Sequence, residues 1–317
     1  MDQILKEELN KIVRAQVLFD EPMSNHSSMR VGGRTDAFVT VKSIDELKGV
    51  IQWSVEKGVP YMFWGNGTNT LVKDGGIPGL VINFGESFSS IDVERKSDEE
   101  VLVNVGAGVQ TSHFLNWCID NGFKGAEFLW GIPGTIGGNI ITNAGCAGGE
   151  IADIISEITV VEKGKRELSI RKSALNFGTR RLKMPRSTAI LSVRLNLKTG
   201  SSEEIRNTIE GIREKRKGTQ PLDEPSLGCI FKNFKNQSAG ALIDDAGFKG
   251  VRIGKARIST RHANFVVNEG GASAKDIVSL INMVREKVRE KFGVALDLEI
   301  FIVGEDERKS YDREMEE

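Results

Sequence analysis

Gly65-Asn66-Gly67-Thr68-Asn69-Thr70-Leu71-Val72 and, further along, Gly131-Ile132-Pro133-Gly134-Thr135-Ile136-Gly137-Gly138 are the stretches whose reading decides the fold. Tyr61-Met62-Phe63-Trp64 reads as a short apolar strand running straight into the first stretch. Before it, Asp45-Glu46-Leu47 opens a helix with Leu47, Val50, Ile51 and Val55 on one face, and Gly58 ends it. The next segment repeats the logic. Residues 101–105 read as a strand leaving through Gly106-Ala107-Gly108. A helix follows with Phe114, Leu115, Cys118 and Ile119 on one face, ending near Gly122. The second glycine stretch comes next and continues as Asn143-Ala144-Gly145.

The chain has 35 glycines in 317 residues, above the usual share of about 7%. A glycine carries no Cβ, so its N–H can approach a pyrophosphate closely. Tight turns are the competing explanation for any single cluster. Known phosphate templates fail here. A third glycine after Gly65 and Gly67 would fall on Thr70, and one after Gly106 and Gly108 would fall on Thr111, so the dinucleotide fingerprint is absent. Neither cluster leads into Gly-Lys-Ser/Thr, so neither is a P-loop. What remains is two Gly/Asn/Thr-rich loops in consecutive α+β segments, suited to hold the two phosphates of one dinucleotide from opposite sides.

The rest of the chain extends the α+β reading, with mixed sheets and no internal repeat. Ile4, Leu5, Leu9, Ile12 and Val13 predict an N-terminal helix; residues 37–41, 158–162 and 189–197 predict strands. Thr199-Gly200 marks a boundary. Beyond it, Ser201 with Glu204 predicts a capping box for a helix carrying Ile205, Ile209 and Ile212. That helix ends in Arg213-Glu214-Lys215-Arg216-Lys217, where positive charge suits a helix C-terminus. Ser273 and Asp276 predict the cap of a last helix, and residues 294–303 alternate as a strand. Val294, Leu296, Leu298, Ile300 and Ile302 share one face, with Asp297, Glu299 and Phe301 on the other.

Composition excludes several classes. A net charge of −1 without a long basic stripe leaves no footprint for nucleic acid. The opening MDQILKEELNKIVRAQ is charged throughout and lacks a signal-peptide core, and no apolar run reaches the roughly 18 residues a membrane helix needs. Cys118, Cys146 and Cys229 are odd in number, widely spaced and form no CxxC pair. Neither a disulfide framework nor a zinc knuckle is expected, and a cytoplasmic location fits. The three histidines lack metal-ligand spacing, and no metal is expected. The tail from Asp306 to Glu317 is almost all charged and reads as a solvated, frayed end.

The two glycine stretches resemble the pyrophosphate loops of the FAD-binding fold typified by vanillyl-alcohol oxidase. Four further motifs, taken in chain order, narrow the resemblance to the UDP-N-acetylenolpyruvoylglucosamine reductase family. They are Ser24-Asn25-His26-Ser27-Ser28-Met29-Arg30-Val31-Gly32-Gly33; Asn143-Ala144-Gly145; Gln220-Pro221-Leu222 through Gly228-Cys229-Ile230-Phe231-Lys232-Asn233; and His262-Ala263-Asn264-Phe265-Val266-Val267-Asn268. The resemblance implies an N-terminal helix over residues 1–23, FAD-binding lobes over 24–95 and 96–200, a substrate-binding domain over 201–304 and a charged tail over 305–317. It implies non-covalent FAD, NADPH as electron donor, and a nucleotide-sugar substrate reduced in peptidoglycan precursor synthesis. Cofactor contacts would come from Gly65, Asn66, Gly67, Thr68, Asn69, Gly131, Pro133, Gly134, Thr135, Gly137, Gly138, Ala144 and Gly145. A monomer is favoured.

The reaction implied by the resemblance sends hydride to C3 of an enolpyruvyl group, leaving carbanion character at C2 conjugated to a carboxylate. That demands charge stabilisation and a proton. The family usually presents a serine in Gly-Ser-x-Phe-Lys-Asn; this chain has Cys229 there. A thiol, with a reference pKa of about 8.5, is a competent donor. Most lone cysteines are small buried hydrophobes, and that reading suits Cys118. Glu299 matches the family's C-terminal glutamate, although by itself it reads as an ordinary strand carboxylate. Arg180 matches an arginine usually preceded by tyrosine. Here Thr179 precedes it, and Arg181 competes for the assignment. Lys232 and Asn233 resemble residues contacting the nucleotide-sugar or NADPH. The basic run 213–217 reads equally as facing the UDP pyrophosphate or as a solvated helix end. Two rival readings are another FAD-dependent oxidoreductase of the same fold and a non-catalytic flavin- or nucleotide-binding protein. Substrate-dependent NADPH consumption separates both from the reductase.

Overall fold

The computed structural model describes residues 1–163 and 166–307. The fold is α+β, as expected, and the chain divides into two compact units. Of the expected charged tail, residues 308–317 lie outside the described residues.

The first unit comprises Met1–Leu18, Ala37–Thr68 and Gly79–Leu222. Helix α1 (Gln3–Ile12) starts where the Asp2 carboxylate accepts the N–H of Leu5, and α2 (Ile44–Glu56) starts where the Ser43 hydroxyl accepts that of Glu46. The α2 face predicted from the sequence is buried at Leu47, Val50 and Ile51, but Val55 is exposed. Gly58, at φ 65°, turns the chain out, a conformation glycine adopts without strain. Strand Tyr61–Trp64 then pairs in parallel with Ile77–Phe84, in register from Tyr61 opposite Leu80 to Trp64 opposite Asn83.

An antiparallel sheet forms the rest of this unit, in the order Glu167–Arg171, Ile155–Glu162, Thr188–Thr199, Glu100–Gly106, Ile91–Lys96. Its inward residues Val103, Val105, Ile158, Val193 and Leu195 pack with Phe114 and Cys118 of α3 (Thr111–Asn121) and Ile136 and Ile140 of α4 (Ile136–Ile141). Each buried side chain of this size is worth about 1.5–3 kcal/mol. Gly122 ends α3 in the left-handed region, at φ 67°. A short α5 (Ile151–Ile154) follows. Helix α6 (Ser202–Lys217) begins in the expected capping box, and its Ile205 and Ile209 pack on Leu115 and Ile119 of α3. The helix beyond Thr199-Gly200 therefore lies on the first unit.

The second unit comprises Phe19–Asp36, Asn69–Pro78 and Asp223–Glu317. It contains α7 (Ala239–Asp245) and α8 (Ala274–Phe292), with an antiparallel sheet in the order Ser226–Cys229, Phe265–Asn268, Ala256–Ile258, Arg252–Ile253. Ile277, Leu280, Ile281, Val284 and Val288 of α8 enter its core beside Leu71, Leu227 and Phe231. Ser273 and Asp276 form the expected box, and Asp74 adds its carboxylate, accepting from the N–H groups of Ala274 at 2.8 Å and Lys275 at 2.9 Å.

The strand expected over residues 294–303 is a strand only at Phe301–Val303, paired in parallel with Thr70–Val72. The alternation still reports burial: Val294, Leu296 and Ile300 are in the core. The ladder fails because the segment bonds to residues 230–232 through single rungs, Lys232 N–H to Asp297 carbonyl at 2.9 Å and Glu299 N–H to Ile230 carbonyl at 2.8 Å.

Candidate active site

In the first unit the two glycine loops meet. The first leaves strand Tyr61–Trp64 and is pinned at its start by the Asn83 amide, which donates to the carbonyls of Trp64 (3.0 Å) and Gly65 (3.1 Å). In the second, Gly131 and Gly134 have φ of 70° and 121°. The Thr68 hydroxyl donates to the Pro133 carbonyl at 3.2 Å, joining the loops. A Cβ on Gly65 would lie 2.9 Å from the Thr135 hydroxyl, and one on Gly134 would lie 3.1 Å from that of Thr68. The loops approach closely enough that a side chain at either position would intrude.

Not every glycine plays the same part. Gly137 donates its N–H to the Ala107 carbonyl at 2.9 Å, and Gly138 donates to the Thr135 hydroxyl at 3.2 Å. A Cβ on Gly137 would sit 3.0 Å from that of Ala107. Gly137 lets α4 pack tightly on the exit of strand Glu100–Gly106. That exit also supplies Gln110, whose amide donates to the Asn66 amide oxygen at 3.3 Å and whose backbone bridges Thr135. Gln110 thereby contacts both loops; its only sequence signal was its place just after Gly106-Ala107-Gly108.

The motif Asn143-Ala144-Gly145 lies beside a small hairpin, Asn176–Gly178 with Arg181–Lys183. Buried Asn143, at φ 43°, donates to the Gly178 carbonyl at 3.3 Å and accepts from the Ala152 N–H at 3.2 Å. Thr179 and Arg180 form the hairpin turn. Arg180 adopts φ 58° and its guanidinium donates to the Gly145 carbonyl. Arg181 lies in the strand and is exposed.

In the second unit the backbone brings Cys229 and Glu299 to neighbouring rungs. Gly228, at φ 76°, bends the chain, and half-buried Cys229 ends its strand opposite Phe265. The next residue, Ile230, accepts the N–H of Glu299. Half-buried Glu299 is fixed from its other side by Asn69, whose amide donates to the Glu299 carbonyl at 3.2 Å while its own carbonyl accepts from Phe301 N–H at 2.9 Å. Buried Asn264 locks the same turn, accepting from Phe231 N–H at 2.9 Å and donating to Phe231 carbonyl at 2.8 Å. Lys232 is half-buried; Asn233 is exposed and accepts the N–H of Ala239 at the head of α7.

The three cysteines separate by environment. Cys118 is fully buried, and burial first, then the Glu127 charge, pushes its thiol far above the usual range. Cys146 and Cys229 are only partly covered. Burial also lowers the pKa of His262, assisted by the charge of Lys249, and its Nδ1 accepts the Asn264 N–H at 3.2 Å. Among the described residues no cluster of His, Cys, Asp or Glu is arranged to hold a metal, and no helix is long and apolar enough to cross a membrane.

Paired loops of this kind, crowded against any Cβ, fit a group bound through backbone N–H donors, and residues 35–166 match the family model described as FAD binding domain. The chain is an FAD-dependent oxidoreductase. Residues 220–303 match the model for the C-terminal domain of UDP-N-acetylenolpyruvoylglucosamine reductase. A reductase of that name from Clostridium tetani is 40% identical over 288 residues, 90% of this chain and 92% of its own length. One from Geobacter metallireducens is 37% identical over 96% of this chain and its full length. The crystal structure of the Thermus caldophilus reductase superposes with a TM-score of 0.79 at 35% identity, covering 92% of this chain and 99% of that one. The chain belongs to the UDP-N-acetylenolpyruvoylglucosamine reductase family.

Proposed function

We propose that this chain reduces UDP-N-acetylglucosamine enolpyruvate to UDP-N-acetylmuramate with NADPH, a cytoplasmic step of peptidoglycan precursor synthesis. The observation that carries the reading is the rung between Glu299 N–H and Ile230 carbonyl at 2.8 Å. It supports the reading because Glu299 bonds the residue that follows Cys229.

FAD, bound without a covalent link, supplies hydride chemistry. Its pyrophosphate is held by backbone N–H groups of residues 65–68 and of Gly131, Gly134 and Thr135, with Asn69, Pro133, Ala144 and Gly145 lining the loops. Gly137 contributes close packing against Ala107, and the N–H groups of Gly137 and Gly138 are engaged within the protein. Cys229 donates the proton to C2 of the substrate; its thiolate is a stable conjugate base, and a positioned acid contributes about 10²- to 10⁴-fold. Glu299 stabilises the enol form from the neighbouring rung. Arg180, rather than Arg181, faces the substrate carboxylate. Its turn conformation aims the guanidinium towards Gly145, while Arg181 lies along an exposed strand. A guanidinium stays charged and can bind a carboxylate bidentately. Lys232 and Asn233 contact the nucleotide-sugar.

The test is oxidation of NADPH by the FAD-loaded protein. It should proceed with the enolpyruvyl nucleotide-sugar and stall without it. Equal NADPH oxidation in the absence of that substrate would overturn the reading.

A further inference from the structure

Arg216 is the member of the basic run that turns inward. Its Nη1 donates to the Trp130 carbonyl at 2.7 Å and approaches the Cys146 sulfur at 3.7 Å, while its Nε donates to the Gln220 amide oxygen at 3.1 Å. None of these partners is a carboxylate. The guanidinium also lies against Gly131: a Cβ there would stand 3.3 Å from Nη1. By contrast, Arg213 on the same helix pairs with Glu210 at 3.2 Å in the open.

A half-buried cation whose partners are all neutral is poorly compensated, because a charge taken from water needs a counter-charge to recover its solvation. Arg216 is held at the mouth of a loop suited to an anion. Trp130 and Gln220 hold its guanidinium, so little side-chain freedom remains to be lost on binding. Helix α6 carries it there because Ile205 and Ile209 seat that helix on α3.

We infer that Arg216 is a binding residue for the FAD pyrophosphate, supplying the positive charge that backbone N–H groups alone lack. This rests on the assignment of residues 131–138 as a pyrophosphate loop. No covalent or redox step is involved.

The test compares apo-protein affinities for FAD and for riboflavin, which has the isoalloxazine but no phosphate, in the wild type, Arg216→Ala, Arg216→Lys and Gly134→Val. Removing one charge-assisted contact should raise the Kd for FAD about 10- to 100-fold while riboflavin binding is unchanged. Arg216→Lys should recover part of the loss, and the wild-type FAD affinity should fall with salt more steeply than that of Arg216→Ala. Unchanged FAD affinity in Arg216→Ala alongside weakened binding in Gly134→Val overturns the role of Arg216 and leaves the loop assignment standing. Full FAD affinity in Gly134→Val overturns the loop assignment itself. Equal weakening of riboflavin and FAD in Arg216→Ala also overturns the inference, because it would report a collapsed loop rather than a lost phosphate contact.

Discussion

The glycine loops of the first unit and the Cys229–Glu299 pair of the second are built on opposite plans. The loops work by leaving side chains out: Gly65 and Gly134 stand where a Cβ would meet a hydroxyl at 2.9 and 3.1 Å. The pair works by placing side chains, with Cys229 and Glu299 held through backbone rungs and the Asn264 and Asn69 amides around them. The first plan joins two stretches 65 residues apart and leaves little room for a Cβ at Gly65 or Gly134. The second draws on residues far apart in the chain, and in the role proposed for Cys229 it would put a thiol at the acting atom.

The difference predicts that damage to one plan leaves the other working. The largest effect is expected for Cys229→Ala. Reduction of bound flavin by NADPH should stay near the wild-type rate, while reoxidation by substrate slows about 10²- to 10⁴-fold. Cys229→Ser should regain part of it. Stopped-flow absorbance follows both phases, and wild-type reoxidation in the alanine variant would transfer the proton-donor role to Glu299.

Next is Gly134→Val. The position has φ 121°, where a β-branched residue costs about 1–3 kcal/mol of backbone strain. FAD affinity should fall about 5- to 100-fold, read by fluorescence titration, with thermal stability of the second unit preserved.

Asn264→Ala reverses the comparison. It strands the N–H and carbonyl of Phe231 in the core, at about 1–3 kcal/mol. Denaturant unfolding should show that loss, while FAD affinity holds; a variant as stable as the wild type would show that Asn264 does not lock this turn.

The smallest effect is a pH slope. His262 has its folded pKa below the ordinary 6.5, so the folded state disfavours the proton. Its contribution is complete above that ordinary value and is lost as pH falls through the folded pKa. His262→Gln should flatten the acid side of the stability profile, and an unchanged slope would assign it to other groups.

Much of the molecule was legible in the sequence wherever one short segment contains the whole cause. Ser201 with Glu204 and Ser273 with Asp276 form the capping boxes their spacing predicted, and Gly58 and Gly122 stop their helices in the left-handed region. What could not be read locally depends on distant partners. Nothing near Arg216 announces Gly131, because seating α6 on α3 brings them together. The choice between Arg180 and Arg181 depends on a hairpin turn and on Gly145, neither visible in Thr179-Arg180-Arg181. Residues 294–300 alternate correctly but lack a ladder, since period two reports which side is buried and not whether a neighbouring strand continues.

The cap that Asp74 places on α8 has a consequence for how this protein is made. The second unit needs Asp74 for a helix end, Thr70–Val72 as the partner of Phe301–Val303, and Met29, Val31 and Leu71 in its core. All of them leave the ribosome before residues 79–222, which belong to the other unit. At about 5–20 residues per second, those early pieces wait on the order of ten seconds or more for Asp223 and the C-terminal residues beyond it. The first unit can assemble during that wait, whereas the second closes only when the final strand emerges. A fragment starting at residue 220, although it contains the whole C-terminal family match, would therefore begin life without a helix cap, a strand partner and part of its core.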